Sequence, residues 1–212
     1  MRITPISENA LVCILNPPAN LSQQRKLWAF SDYLSQQENI FDVVVGMNNI
    51  TVFTDFLLDF SPLIEQLEQA WFSLEASPSE SKIVEIPVIY GGERGADLCE
   101  VAKFHHTTPE QIIEMHSAPL YTVYMIGFQP GFPYLGGLPE SLHTPRRATP
   151  RTLVPAGSVG IGGSQTGIYP FSSPGGWQLI GYTELSLFDK HHPQPTLLKA
   201  GDQVKFVVAG VE

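Results

Sequence analysis

The sequence predicts an α+β protein in two parts, a small helix-backed sheet followed by a barrel of short β-strands. Three observations predict it. Residues 1–80 alternate strand-like runs with helical periodicity. A polar stretch, Ser77-Pro78-Ser79-Glu80-Ser81, then interrupts the pattern and marks a domain boundary. Beyond Phe128, glycine and proline recur too densely for helix, yet strand-sized pieces lie between them. With 43% hydrophobic, 16% charged and 10% aromatic residues among 212, the chain holds too much apolar material to be disordered.

In the first part, ALVCIL and FDVVV read as strands, and LSQQRKLWAFSDYLSQQ places Leu21, Leu27, Trp28 and Leu34 on one helical face. Gly46-Met47-Asn48-Asn49 separates FDVVV from ITVFTD and predicts a hairpin, because asparagine tolerates left-handed backbone. Ser61-Pro62 predicts an N-cap and first-turn proline, followed by Leu63, Ile64, Leu67, Trp71 and Leu74 at helical spacing. Two helices on one small sheet make a ferredoxin-like α/β sandwich over residues 1–80. In residues 81–212, KIVEIPVIY predicts a strand, with a helix around Ala96 to Phe104 after it. A second helix is introduced by the capping box Thr108-Pro109-Glu110-Gln111. LYTVYMIGF then reads as a buried strand, and RTLVP, SVGIG, TGIYPF, WQLIGYTEL and DQVKFVV supply the barrel.

Charge and cysteine usage exclude several functions. A net charge of -9, from 21 acids against 12 bases, argues against nucleic-acid binding, which needs a basic face. The short apolar run Ala10 to Leu15 ends at Pro17 and Pro18 and does not read as a signal peptide, and no apolar window is long enough to cross a bilayer. Cys13 and Cys99 form neither a disulfide framework nor a thiolate zinc pattern, so a cytoplasmic setting and no metal site are expected.

The stretch from Gly127 to Trp177 carries the chemistry. Arg146, Arg147 and Arg151 are its bases and Glu140 its one acid, and a guanidinium fork suits a carboxylate or phosphate. Gly157 to Gly167 lacks both the Walker and the Rossmann spacing, so a tight glycine turn between strands outweighs a phosphate loop. Ser158 sits in a near miss to GxSxG without a following helix, which argues against a nucleophile while leaving its side chain or amide available to a ligand. The pairs His105-His106 and His191-His192 read as loop residues, His116 as structural, and Asp97 as a charge at a helix N-terminus.

The strings GFQPGFPYLGGL, TPRRATPR, VPAGSVGIGGSQTGIYP and SPGGWQLIG, with GMNNITV, IPVIYGGERGADL and IEMHSAPLYTVYMIGF, resemble the family of allophanate hydrolase subunit 1 and kinase-inhibitor-like proteins over nearly the whole chain. Within it, the likeness is to the ATP-dependent 5-oxoprolinase branch. The resemblance implies a cyclophilin-like barrel over 81–212 and a chain active only in a hetero-oligomer with 5-oxoprolinase subunits A and C. That complex cleaves 5-oxo-L-proline to L-glutamate, with ATP and Mg2+ as co-substrates of the whole and nothing bound by this chain alone. It further implies Arg146, Arg147, Gln165 and Ser158 as catalytic residues, with Phe128, Gln129, Gly131, Phe132, Arg151, Gly157, Thr166, Tyr169 and Trp177 holding substrate. Within that set the arginines take a carboxylate or phosphate, Gln165 and Ser158 donate or accept hydrogen bonds, and Phe132 and Trp177 form apolar walls. His116 and Asp97 lie within family motifs, as supporting groups, and Ala96 departs from a frequent proline. Other family members imply two alternatives, inhibition of a sensor histidine kinase and an allophanate hydrolase or urea carboxylase-type role. No biotin-accepting lysine motif accompanies the latter.

Overall fold

The computed structural model describes residues 1–57, 59–76 and 81–212. Most of the stretch expected as a linker, residues 77–80, lies outside the described residues. The chain divides into two compact units, Met1–Ser79 and Glu80–Glu212.

In the first unit the order is β1 (Arg2–Ser7), β2 (Ala10–Ile14), α1 (Leu21–Leu34), β3 (Ile40–Val45), β4 (Asn49–Thr54) and α2 (Ser61–Ser73). The sheet runs β1-β2-β4-β3 with every neighbouring pair antiparallel. This corrects the expected ferredoxin-like connectivity, which is written βαββαβ: here β1 and β2 both precede the first helix and no strand of this sheet follows the second. Helix α1 starts where the Asn20 side chain accepts from the Gln23 amide at 2.9 Å. Its buried face is Leu27, Phe30 and Leu34, and Trp28 is half-buried. Helix α2 begins one residue earlier than expected, with Phe60 at the cap, and the Asp59 carboxylate accepts from the Ser61 amide at 2.9 Å. Both helices pack on the same core as Leu11 and Cys13 of β2 and Ile50 and Val52 of β4. Burial there pushes the Cys13 thiol up to about 12, so it behaves as a small apolar side chain. The β3–β4 hairpin turns at Asn48, whose φ is 62°, as the local sequence requires.

The second unit holds β5 (Ile83–Tyr90), α3 (Leu98–Phe104), α4 (Pro109–Ser117), β6 (Tyr121–Ile126), β7 (Pro133–Gly136), β8 (Arg151–Val154), β9 (Ser158–Gly162), β10 (Gln165–Ile168), β11 (Ser173–Gly175), β12 (Gln178–Tyr182) and β13 (Gln203–Val211). Seven of these strands close a barrel in the order β10-β7-β6-β13-β5-β12-β9, while β8 and β11 form a separate ribbon. The long β13 runs parallel to β5 and antiparallel to β6. Closure removes exposed strand edges. The barrel core contains Ile86, Val88, Tyr121, Val123, Leu135, Ile161, Ile168, Val204 and Phe206. Ile112, Ile113 and His116 of α4 are buried with it, and α4 starts at Thr108, whose side chain accepts from the Gln111 amide. No helix among the described residues is long and apolar enough to cross a membrane.

His116 lies wholly inside this core. The Thr166 hydroxyl donates to the Gly160 carbonyl at 2.9 Å, so it can only accept from His116 Nε2, 2.8 Å away. That fixes the tautomer, and Nδ1 accepts from the Tyr90 hydroxyl at 2.8 Å. Burial holds the imidazole neutral, with its pKa lowered to about 3.

Candidate active site

The glycine-rich stretch builds a second apolar cluster, Phe132, Val154, Tyr169, Trp177 and Leu179, with Tyr134 packed beside it. Phe132 is its hub, with ring centroids 5.1 Å from Tyr169, 5.5 Å from Trp177 and 4.9 Å from Tyr134, the first two edge to face. Gly162 is required by close approach, because a Cβ there would come within 2.5 Å of the Trp177 indole. These rings enclose a cleft of about 120 Å³, lined also by the exposed Phe128 and by Arg146. Phe128 is held at φ 67°, a left-handed conformation that a bulky residue rarely adopts, and packs edge-on against Phe132 at 5.5 Å. Burial raises the phenol pKa values of Tyr134 and Tyr169, and the positive charge of Arg146 partly opposes the rise on both. Both phenols remain protonated donors at neutral pH.

The three arginines part company. Asp97, 4% exposed, accepts at one oxygen from Arg147 at 2.9 Å and from Arg151 at 2.7 Å, and at the other from the Leu179 amide at 2.7 Å. Asp97 is therefore far more than a helix N-terminal charge: it ties the loop before β8, and β8 itself, to β12. Arg147 and Arg151 are both paired with Asp97, with side chains 37% and 23% exposed. Arg146 makes no ion pair among the described residues, and its guanidinium lies 5.8 Å from the Trp177 ring centre. It also lines a larger cleft of about 470 Å³, with Lys103, Phe104, Thr144, Arg147 and Gln178 among its other walls.

Several of the other expected site residues are buried. Ser158 is fully buried in a strand whose five residues are all buried, and its hydroxyl has no hydrogen-bond partner among the described residues. Thr166 is likewise buried and spent on His116 and Gly160. Gly131 and Gly157 have φ of 83° and 81°, and a Cβ on either would press against a backbone carbonyl, Leu187 and Thr183 respectively, so their task is backbone geometry. Gln129 is half-buried, turning the loop as its carbonyl accepts from the Phe132 amide at 3.0 Å. Gln165, half-buried, opens β10 and does not line the aromatic cleft. His105 is not a simple loop residue, since its Nε2 lies 2.9 Å from Thr144 Oγ1. Sequence reasoning missed Tyr134, although its spacing of two from Phe132 places both on one face as β7 begins.

The family model for the carboxyltransferase domain, subdomain C and D, matches residues 1–198. A protein of Haemophilus influenzae, named as the B-subunit of 5-oxoprolinase, is 70% identical over 212 residues, covering 100% of both chains. Its namesake from Escherichia coli O157:H7 is 52% identical over 206 residues, covering 95% of this chain and 93% of that one. The solved urea amidolyase of K. lactis superposes with a TM-score of 0.82 at 20% identity, over 98% of this chain but 15% of that much longer one, and shares the fold. The chain belongs to the carboxyltransferase subdomain C and D family, in the branch whose relatives carry the name of the 5-oxoprolinase B-subunit.

Proposed function

We propose that this chain provides the lactam-binding part of an ATP-dependent 5-oxoprolinase, acting with subunits A and C to convert 5-oxo-L-proline to L-glutamate. The observation that carries the reading is the aromatic cleft with Arg146 beside it, in a chain 70% identical to a protein named for that activity. At about 120 Å³ the cleft accepts a small ring and little more. The rings of Phe132 and Trp177 flank the methylene face of the lactam, the guanidinium of Arg146 faces its carboxylate or the transferring phosphate, and the phenols of Tyr134 and Tyr169 donate to oxygen.

The chemistry needs an activated amide, because a five-membered lactam is stable to water. The lactam oxygen attacks the γ-phosphorus of ATP, the bond to the bridging oxygen breaks, ADP departs with the electron pair, and the ring nitrogen gives up its proton. Water adds to the resulting imidoyl phosphate, the ring C–N bond breaks as nitrogen takes up protons, and γ-glutamyl phosphate forms. A second water releases phosphate and leaves glutamate. Arg146 stabilises the negative charge gathered during the first transfer. Among the described residues no cluster of three His, Cys, Asp or Glu offers a cage for a metal, so Mg2+ would be carried by the nucleotide phosphates.

The test is reconstitution. Co-purified with its two neighbouring subunits, the chain supports glutamate formation from 5-oxoproline and ATP, and omitting it abolishes the rate. An unchanged rate without it refutes the assignment. The isolated chain is expected to hydrolyse no ATP.

A further inference from the structure

The aromatic cleft and the larger cleft share Arg146, and their sizes assign them different occupants. A nucleoside triphosphate cannot enter about 120 Å³, whereas about 470 Å³ lies in the range of sites for ligands of that size. Resting on the 5-oxoprolinase reading, we propose that the larger cleft holds the ATP, placing the nucleotide on this chain with Arg146 between it and the lactam.

The lining fits that ligand. Phe104, at the end of α3, is 53% exposed although it is a large apolar side chain, and offers a face for a purine base to stack on. Lys103, Arg146 and Arg147 bring three of the chain's 12 bases to one cleft, with Glu100 the acid among its walls. The Lys103–Glu100 pair at 2.6 Å is exposed on both sides, so water screens it and Lys103 can exchange its partner for phosphate at little cost. Arg147 is held by Asp97 and keeps its backbone in place, while Arg146 has no acid to leave among the described residues. Gln178, half-buried, adds a side-chain amide to the same lining, whereas the buried Thr144 hydroxyl is spent on the Leu142 carbonyl and His105. With the phosphates drawn toward Arg146, the γ-phosphorus reaches the boundary of the two clefts. There the lactam oxygen displaces ADP, as in the reaction above.

The experiment is photoaffinity labelling of the co-purified complex with 8-azido-ATP, without lactam, followed by peptide mapping. Label is expected on this chain, in the peptides of α3 or the Thr144–Ala148 loop. Phe104→Ala lowers that labelling at least about fivefold, in keeping with one lost base stack, and Phe104→Trp restores it. Phe104 is exposed, so the variants keep the wild-type melting temperature. Label confined to the other subunits, or unchanged in Phe104→Ala, overturns the proposal even if the complex makes glutamate. Labelling here in a complex that makes no glutamate keeps the nucleotide site and sinks the lactam reading instead.

Discussion

Asp97→Asn is the sharpest perturbation of this fold. The substitution preserves shape but removes the charge that Arg147 and Arg151 share, and leaves two guanidinium groups together without a counter-ion. One amide oxygen must then serve the three donors that two carboxylate oxygens served before: Arg147 at 2.9 Å, Arg151 at 2.7 Å and the Leu179 amide at 2.7 Å. Breaking a buried pair by removing one partner costs about 3–5 kcal/mol. Here the Arg147 side chain is 37% exposed and Arg151 23%, so water takes up part of each freed charge. The expected loss is therefore about 2–4 kcal/mol, or roughly 6–12 °C in melting temperature for a unit of this size. Denaturant unfolding and calorimetry read it, and a cycle combining Asp97→Asn with Arg151→Gln should return a coupling of about 1–3 kcal/mol. In the complex the same variant lowers glutamate formation, because the loop carrying Arg146 loses its anchor. A stability loss under about 1 kcal/mol, or additive single effects, would show that the clamp is incidental surface pairing.

Other consequences follow from the same geometry. Arg146→Ala is expected to lower kcat/KM of the complex about 10- to 100-fold, the worth of a charged hydrogen bond, while stability stays within about 0.5 kcal/mol because the side chain has no ion pair to lose among the described residues. An unchanged kcat/KM would remove Arg146 from the site. Phe128→Gly relieves the left-handed strain at φ 67° and should leave stability unchanged or raise it by about 1 kcal/mol, yet weaken activity by opening one wall of the cleft. Lost stability with intact activity would reverse that assignment. For His116, the folded pKa of about 3 lies below its ordinary value near 6.5, so the unfolded chain takes up a proton that the native core refuses. Its contribution is full above about pH 7 and is lost as pH falls toward 3, amounting to about 5 kcal/mol. His116→Gln should flatten the acid limb of a stability profile, and an identical limb in both proteins would contradict the buried neutral tautomer.

The residues that could be read in advance are those whose partners lie nearby in the chain. The Thr108 cap needs Gln111, and the β3–β4 hairpin needs Asn48, so a few residues decide each. Asp97 was opaque because its partners are 50, 54 and 82 residues away, and no local pattern distinguishes a clamp from a helix-end charge. The burial of Ser158 was opaque for a related reason. A half-exposed strand would alternate inward and outward, but β9 is buried along its whole length, which no local pattern around the serine reveals. Three arginines within six residues read as one patch, and the fold separates them: Arg147 and Arg151 pair with Asp97, while Arg146 makes no ion pair among the described residues and lies beside the Trp177 ring. That division shows how a stretch rich in glycine is packed into one arrangement. The glycines admit aromatic rings close to the backbone, the ring cluster and the Asp97 clamp fix the loops, and Arg146, the cation left outside the clamp, is held where two clefts meet.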